Sequence, residues 1–156
     1  MLNTTSLTYH DLANFTGSQQ VYKNSFDTLC YTEGVRYVAQ QAGAYWLLEQ
    51  IAFLQAQLNE THLREFQLWI LTVRSGKGLP PTNDKLQIAP KPHHDAILTC
   101  WADTPDSWHD WQNSPLLKMT CDIALTDFPL TQIKFYLCDT QIGPQVKPLL
   151  MLPSEY

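Results

Sequence analysis

Residues 34–58 have the sequence GVRYVAQQAGAYWLLEQIAFLQAQL, and a change of hydrophobic periodicity after them indicates the fold class. Their apolar residues recur at spacings of three and four, as on one face of a helix that packs on a core. Gly43 interrupts this pattern; because glycine costs about 1 kcal/mol in a helix interior relative to alanine, it predicts a kink or a second helix beginning near Ala44. Residues 66–73, FQLWILTV, are instead β-branched and aromatic types, which predict a strand.

Four more strand-like runs follow toward the C-terminus. They are residues 96–102, 117–125, 133–138 and 149–152, and the second of them alternates apolar and polar residues. Since no helical pattern lies between the runs, they are expected to pair antiparallel. The predicted fold is α+β, a four- to five-stranded, mainly antiparallel sheet with the helical layer 34–58 packed on one face.

The N-terminal part of the chain has weaker patterns. Thr8 followed three positions later by Asp11 resembles a capping box and predicts a short helix over residues 8–15. Residues 18–31 show little periodicity, and we predict a short helix or turn followed by an irregular connection.

The strand at 66–73 is apolar on both faces. Leu68 and Ile70 project to one side, and Trp69 and Leu71 project to the other. Helices over one face leave the second uncovered, so we expect a homodimer or the N-terminal segment to cover it.

Composition limits the function classes. The 156 residues are about one domain's worth, and 44% of them are hydrophobic. The net charge of −5 and only ten scattered Lys and Arg residues argue against nucleic acid as a partner, because phosphate affinity needs clustered cations. Lys77, Lys85 and Lys91 in one loop are the only feature that favours weak nucleic-acid binding.

No run approaches the roughly 18 apolar residues that cross a bilayer, so no membrane association is predicted. The first fifteen residues lack the basic and apolar parts of a signal peptide, which predicts a cytoplasmic protein.

The histidines and cysteines predict neither a metal site nor a cofactor. The cysteines, Cys30, Cys100, Cys121 and Cys138, form no C-x-x-C pair and are expected to be buried, inert thiols, with a disulfide or a reactive site as the alternatives. The ligand types at residues 93–95 (HHD) lack the spacing of a zinc site. Cys100 or Cys121 with His94 or His109 would make a nucleophile and its base, but core packing is favoured. Residues 76–78 (GKG) lack the rest of a phosphate loop and predict a turn.

Six segments in the same order resemble the signature blocks of an uncharacterised family of small bacterial proteins, frequent in cyanobacteria. They are residues 11–18 (DLANFTGS), 31–35 (YTEGV), 43–48 (GAYWLL), 66–69 (FQLW), 126–130 (TDFPL) and 152–156 (LPSEY). The resemblance spans nearly the whole chain. It implies a bacterial, cytosolic, single-domain protein and transfers no site residues, because the family is a domain of unknown function.

Two carboxylates are candidates for chemistry. Glu49 lies in the apolar helix stripe beside Trp46, and a buried carboxylate there would act as a general acid or base. Asp127 is the second candidate. The alternative is structural: Glu49 marks the polar face of its helix, and Asp127 caps a turn before Pro129.

Trp108 and Trp111 lie on an otherwise polar loop, and two interpretations are open. If they are exposed, they suit binding of a partner protein, since aromatic anchors dominate interface energetics. If they fold over the sheet, they complete a second core.

These observations favour a non-catalytic, cytosolic protein-interaction or regulatory module that binds an unidentified protein partner. The alternative is a small enzyme that uses Glu49 or Asp127 in a pocket between helix and sheet.

Overall fold

The computed structural model describes residues 7–17, 20–58, 61–74 and 87–156, and these form a mixed α+β fold. The strands are β1 Val21–Lys23, β2 Cys30–Thr32, β3 Gln67–Val73, β4 Ala96–Trp101, β5 Leu117–Ile123, β6 Gln132–Ile142 and β7 Gln145–Met151. The α-helices are α1 Tyr9–Ala13, α2 Glu33–Ala42 and α3 Tyr45–Gln55. Short 3₁₀ turns lie at Thr61–Arg64, Trp111–Asn113 and Pro153–Glu155.

The seven strands form a sheet in the order β1-β2-β7-β6-β3-β4-β5, antiparallel except for the β2–β7 pair. The prediction of a mainly antiparallel sheet is therefore confirmed, and the prediction of four to five strands is wrong. The two extra strands, β1 and β2, have three residues each. They were predicted as a turn and irregular chain because three residues are too few to show the two-residue period.

Local signals placed the helices correctly. The side chain of Thr8 accepts a hydrogen bond from the backbone N–H of Asp11 at the start of α1. Gly43 ends α2 in the left-handed conformation with φ of 60°, so the interruption separates two helices. Among the described residues, none of the helices combines the length and the apolar character that a bilayer crossing requires.

Helices α2 and α3 cover one face of the sheet, as predicted. Trp69, Leu71 and Val73 of β3 share a buried cluster with Val38 of α2 and Ile51 of α3. This is the larger core of the protein.

On the opposite face of the sheet, the loop between β4 and β5 covers β3 and β4, together with Ile88 from the segment before β4. Trp108 and Trp111, only 8% and 9% exposed, pack over Leu68 and Ile70 of β3. Trp108 meets Trp101 edge to face, with ring centroids 5.3 Å apart. The prediction that a second copy or the N-terminal segment covers this face is therefore wrong. Trp108 and Trp111 therefore complete a second core, which is the second of the two interpretations of their loop.

Candidate functional site

Two adjoining clefts lie between α3 and the turn that joins β1 to β2. The first, here the aromatic cleft, has a volume of about 300 Å³ and is lined by Tyr31, Tyr45 and Trp46 among others. The second, here the phenylalanine groove, has a volume of about 460 Å³ and lies between Phe26 and Phe53. Glu49 lines both, so the two clefts meet at this residue.

The helix supplies one wall because of its periodicity. Leu48, Ile51 and Ala52 of α3 are buried against the core. Tyr45, Glu49 and Phe53 follow one another at intervals of four and therefore form a stripe beside that buried face. Tyr45 is 44% exposed and Phe53 is 64% exposed, so this stripe presents two aromatic rings with a carboxylate between them.

The turn supplies the other wall and is organised by Asn24. The side-chain oxygen of Asn24 accepts hydrogen bonds from the backbone N–H groups of Thr28 at 2.8 Å and Leu29 at 3.0 Å. Its side-chain nitrogen donates to Thr28 Oγ1 at 2.8 Å and to Glu49 Oε2 at 3.3 Å. The tip of this turn projects Phe26, which is 79% exposed. A single buried amide thus shapes the turn and orients the carboxylate.

Aromatic and cationic side chains extend the aromatic cleft along β1 and β2. Tyr22 and Tyr31 stack with ring centroids 5.9 Å apart. Arg36 of α2 lies 4.3 Å from the centre of the Tyr22 ring and donates a hydrogen bond to the Tyr22 hydroxyl at 2.9 Å. That hydrogen bond raises the pKa of Arg36, and burial raises the pKa of Tyr31. Both groups therefore hold their protons at neutral pH.

The structure brings together two of the predicted site residues and leaves a third apart. Trp46 and Glu49 both line the aromatic cleft, and Glu49 is partly buried. Asp127 is exposed between β5 and β6 and lines neither cleft, so of the two carboxylates of the enzyme alternative only Glu49 lies in a cleft. The turn before Pro129 is instead held by Thr126, whose hydroxyl accepts from the Phe128 N–H at 3.1 Å.

Three of the four cysteines are not activated as nucleophiles. All four are free thiols. Burial raises the pKa of Cys30, Cys100 and Cys121, which keeps these thiols protonated at neutral pH. Within the described ranges, no three His, Cys, Asp or Glu residues are grouped so as to hold a metal ion.

The basic loop of the nucleic-acid alternative can be followed only in part. Lys91 forms an ion pair with Asp122 at 3.0 Å. Lys77, Lys85 and the 76–78 turn lie outside the described residues.

A third cavity, of about 340 Å³, lies between α1, β6 and the C-terminal 3₁₀ turn. Two of its polar side chains, Tyr9 and Ser154, already serve the fold, whereas the side-chain oxygen of Gln132 is buried and has no hydrogen-bond partner in the described structure. The Tyr9 hydroxyl donates to the backbone oxygen of Gln132 at 2.8 Å and accepts from its N–H at 3.0 Å. The Ser154 hydroxyl donates to the backbone oxygen of Leu12 at 3.3 Å. We place the candidate site at Glu49, because this residue lines two adjoining clefts and stands between two exposed aromatic rings.

Sequence reasoning missed Phe26, Asn24 and Phe53. Phe53 had a usable signal, because it stands four positions after Glu49 on the predicted helix. Phe26 and Asn24 had none, since their segment was predicted as an irregular connection.

The comparison with known families identifies the family of the chain and assigns no function to the site. A family model matches residues 6–156. The chain belongs to DUF6876, a family of unknown function. The predicted membership of a family without an established activity is thereby confirmed. No curated protein and no solved structure matches this DUF6876 chain.

Proposed function

We propose that this protein is a non-catalytic interaction module that binds a segment of a partner protein in the phenylalanine groove. The observation that carries the proposal is the pair of exposed rings, Phe26 at 79% and Phe53 at 64%, on either side of one groove. Exposed aromatic rings that frame an apolar depression are typical of surfaces that receive an apolar side chain.

The chemistry of the groove limits the segment that it would bind. Its lining includes Ala52 and Ala56, small side chains that leave room for a bulky apolar residue. Glu49 is the charged member of the described groove lining. An arginine or lysine of the partner near the apolar residue would therefore pair with Glu49. The expected ligand is a segment with one large apolar residue and one basic residue within about one helical turn of it.

Binding is favoured over catalysis by what surrounds Glu49. The described lining of the two clefts includes no histidine, no cysteine and no second carboxylate. The Glu49 carboxylate accepts a hydrogen bond from the side-chain amide of Asn24, which does not exchange a proton as a general acid or base would.

We further propose that the module acts in the bacterial cytoplasm. Its four cysteines are all free thiols, which suits a reducing compartment.

The test is selection of peptides from a random display library on the immobilised full chain, followed by calorimetry of the selected peptides. We expect a consensus that pairs a large apolar residue with Arg or Lys. Phe53→Ser should weaken binding by about tenfold or more, because a buried aromatic contact is lost. Glu49→Gln should remove the preference for the basic residue.

Leu125→Ser is the matched control. Leu125 is 84% exposed and follows β5, at the opposite edge of the sheet, so its loss should leave peptide binding unchanged. Failure to select any peptide, or equal binding by the Phe53→Ser variant, would contradict the proposal.

A further inference from the structure

The outer edge of β5 is the longer of the two sheet edges. At the opposite edge β1 has three residues, whereas β5 has seven. In the described part of the chain β5 is the last strand of the sheet and pairs only with β4. An unpaired edge of this length is a template for another strand.

The hydrogen-bond pattern shows which backbone groups face outward. The backbone N–H of Arg74 donates to the backbone oxygen of Asp95. Every second residue of β4, beginning with Ile97, therefore directs its backbone N–H and C=O groups to β3, and the residues between them direct theirs to β5. In the paired register Met119, Cys121 and Ile123 then direct their backbone groups to β4. Thr120 and Asp122 direct theirs away from the sheet. Thr120 is also exposed, so the middle of the outer edge is open.

The sequence of β5 is complementary to itself when it is reversed. If a second β5 pairs antiparallel with Thr120 opposite Thr120, Lys118 lies opposite Asp122 of the second copy, and Met119 lies opposite Cys121. The ionic pair forms twice across the two-fold axis. The Asp122 side chain keeps 28% of its surface exposed, and its Oδ2 lies 3.0 Å from the Lys91 ammonium.

The residue after the strand supports the same register. Leu125, 84% exposed, lies two residues beyond β5, and in this register it would lie near the turn that contains the exposed Pro115 of the second copy. Contact between them would cover the most exposed of the large apolar side chains described here.

We propose that two copies of the chain associate through the β5 edges, with Thr120 on the two-fold axis. The two sheets then form one continuous sheet with a closed, isologous contact. The phenylalanine grooves lie at its two far ends, because β1 and β2 form the edge opposite to β5.

The first experiment is sedimentation equilibrium of the full chain up to roughly 100 μM, a concentration at which weak edge pairing is populated. We expect a monomer–dimer equilibrium. Thr120→Pro should raise the dissociation constant by about tenfold or more, because proline removes an outward N–H and its partner bond. Since that N–H points away from β4, urea unfolding of the monomer should stay cooperative.

The second experiment tests the register. Met119→Cys places a thiol opposite the native Cys121 of the second copy at a non-hydrogen-bonded position, where Cα atoms are about 4.5 Å apart and a disulfide can form. We expect a covalent dimer on oxidation. Met119→Cys combined with Cys121→Ser should give none.

Two results would overturn the proposal. One is a wild-type protein that stays monomeric throughout the concentration range, which would mean that Lys118 and the bulge near it guard the edge. The other is a dimer that Thr120→Pro leaves intact, which would place the contact on another surface. Neither result depends on peptide binding at the phenylalanine groove.

Discussion

At the scale of single residues, hydrogen bonds of Glu155 hold the C-terminal residues against Gly34 at the start of α2. One oxygen of Glu155 accepts hydrogen bonds from Thr32 Oγ1 at 2.6 Å and from Leu152 N–H at 3.0 Å. Its other oxygen accepts from Gly34 N–H at 3.3 Å. A negative charge is favourable at this position because the first turn of a helix has unpaired N–H groups.

A methyl group at position 34 should disrupt this contact between Glu155 and the start of α2. In Gly34→Ala the Cβ atom would lie 2.6 Å from Glu155 Oε1 and 2.7 Å from Leu152 Cδ1. Because the carboxylate is held by three donors, it cannot move aside cheaply, and we expect a loss of about 1–3 kcal/mol in the free energy of unfolding in urea. Gly17→Ala is the control, since no atom lies within 4 Å of its Cβ position. Equal stability of the two variants would contradict the argument.

Cys100 predicts how stability depends on alkaline pH. Burial raises the pKa of its thiol above the ordinary value of 9.0. Below pH 9 both folded and unfolded thiols are protonated, so the full stability is present. Above pH 9 the unfolded thiol loses its proton first, and the free energy of unfolding falls by up to about 1.4 kcal/mol per pH unit.

The measurement is urea unfolding from pH 7 to pH 10.5 for the wild type and for Cys100→Ala. The variant should be less stable at neutral pH because of its small cavity. The difference between the two proteins should narrow above pH 9. A constant difference would show that the buried thiol does not cause the alkaline loss.

At the scale of elements, the turn between β1 and β2 depends on one side chain. Asn24 is 8% exposed, and its amide replaces backbone partners that a tighter turn would provide. Asp27 in the same turn has a positive φ of 55°, a conformation that Asp tolerates better than most residues. Both features involve residues that are close together in the chain. The sequence does not indicate this turn, however, because the strands on either side of it are too short to show a strand pattern.

Asn24→Ala should loosen the turn and the wall of both clefts. The N–H groups of Thr28 and Leu29 would lose their acceptor, and because Leu29 is buried, this loss costs about 1–3 kcal/mol. Hydrogen exchange at these two amides should accelerate more than exchange in β3. Asn113→Ala removes a comparable but exposed hydrogen bond to Asp110 and should change stability by less than about 0.5 kcal/mol. Unchanged exchange at Thr28 would contradict the assigned role.

At the scale of the whole molecule, two cores on opposite faces of one sheet share β3. The helices supply one core and the β4–β5 loop supplies the other. The doubly apolar pattern of β3 was interpreted correctly as burial on both faces. The prediction of what covers the second face of β3 was wrong. A polar loop with two tryptophans has no periodicity that indicates where it packs.

Trp108→Ala tests the loop as a structural cover. Loss of the buried ring against Trp101 should lower the free energy of unfolding by about 3–5 kcal/mol. Phe26→Ala, which truncates an aromatic ring that is 79% exposed, should lower it by less than about 0.5 kcal/mol. Urea unfolding gives both values. If Trp108→Ala and Phe26→Ala lowered the free energy of unfolding by similar amounts, the loop would not stabilise the sheet.

The sequence by itself determined the elements that depend on neighbours along the chain. Periodicity placed α2, α3 and the strands β3, β4 and β5, and Gly43 and Thr8 marked helix ends, because caps and hydrophobic faces act over a few residues. Of the candidate site, the sequence predicted Glu49 and Trp46, and a signal for Phe53 was present on the same helix. Only the tertiary structure decided that Asn24 meets Glu49, that Glu155 meets Gly34, and that Trp108 covers the second face. These contacts join residues far apart in the chain, and the free energy that selects them comes from burial and hydrogen bonding in the assembled fold, which local pattern does not contain.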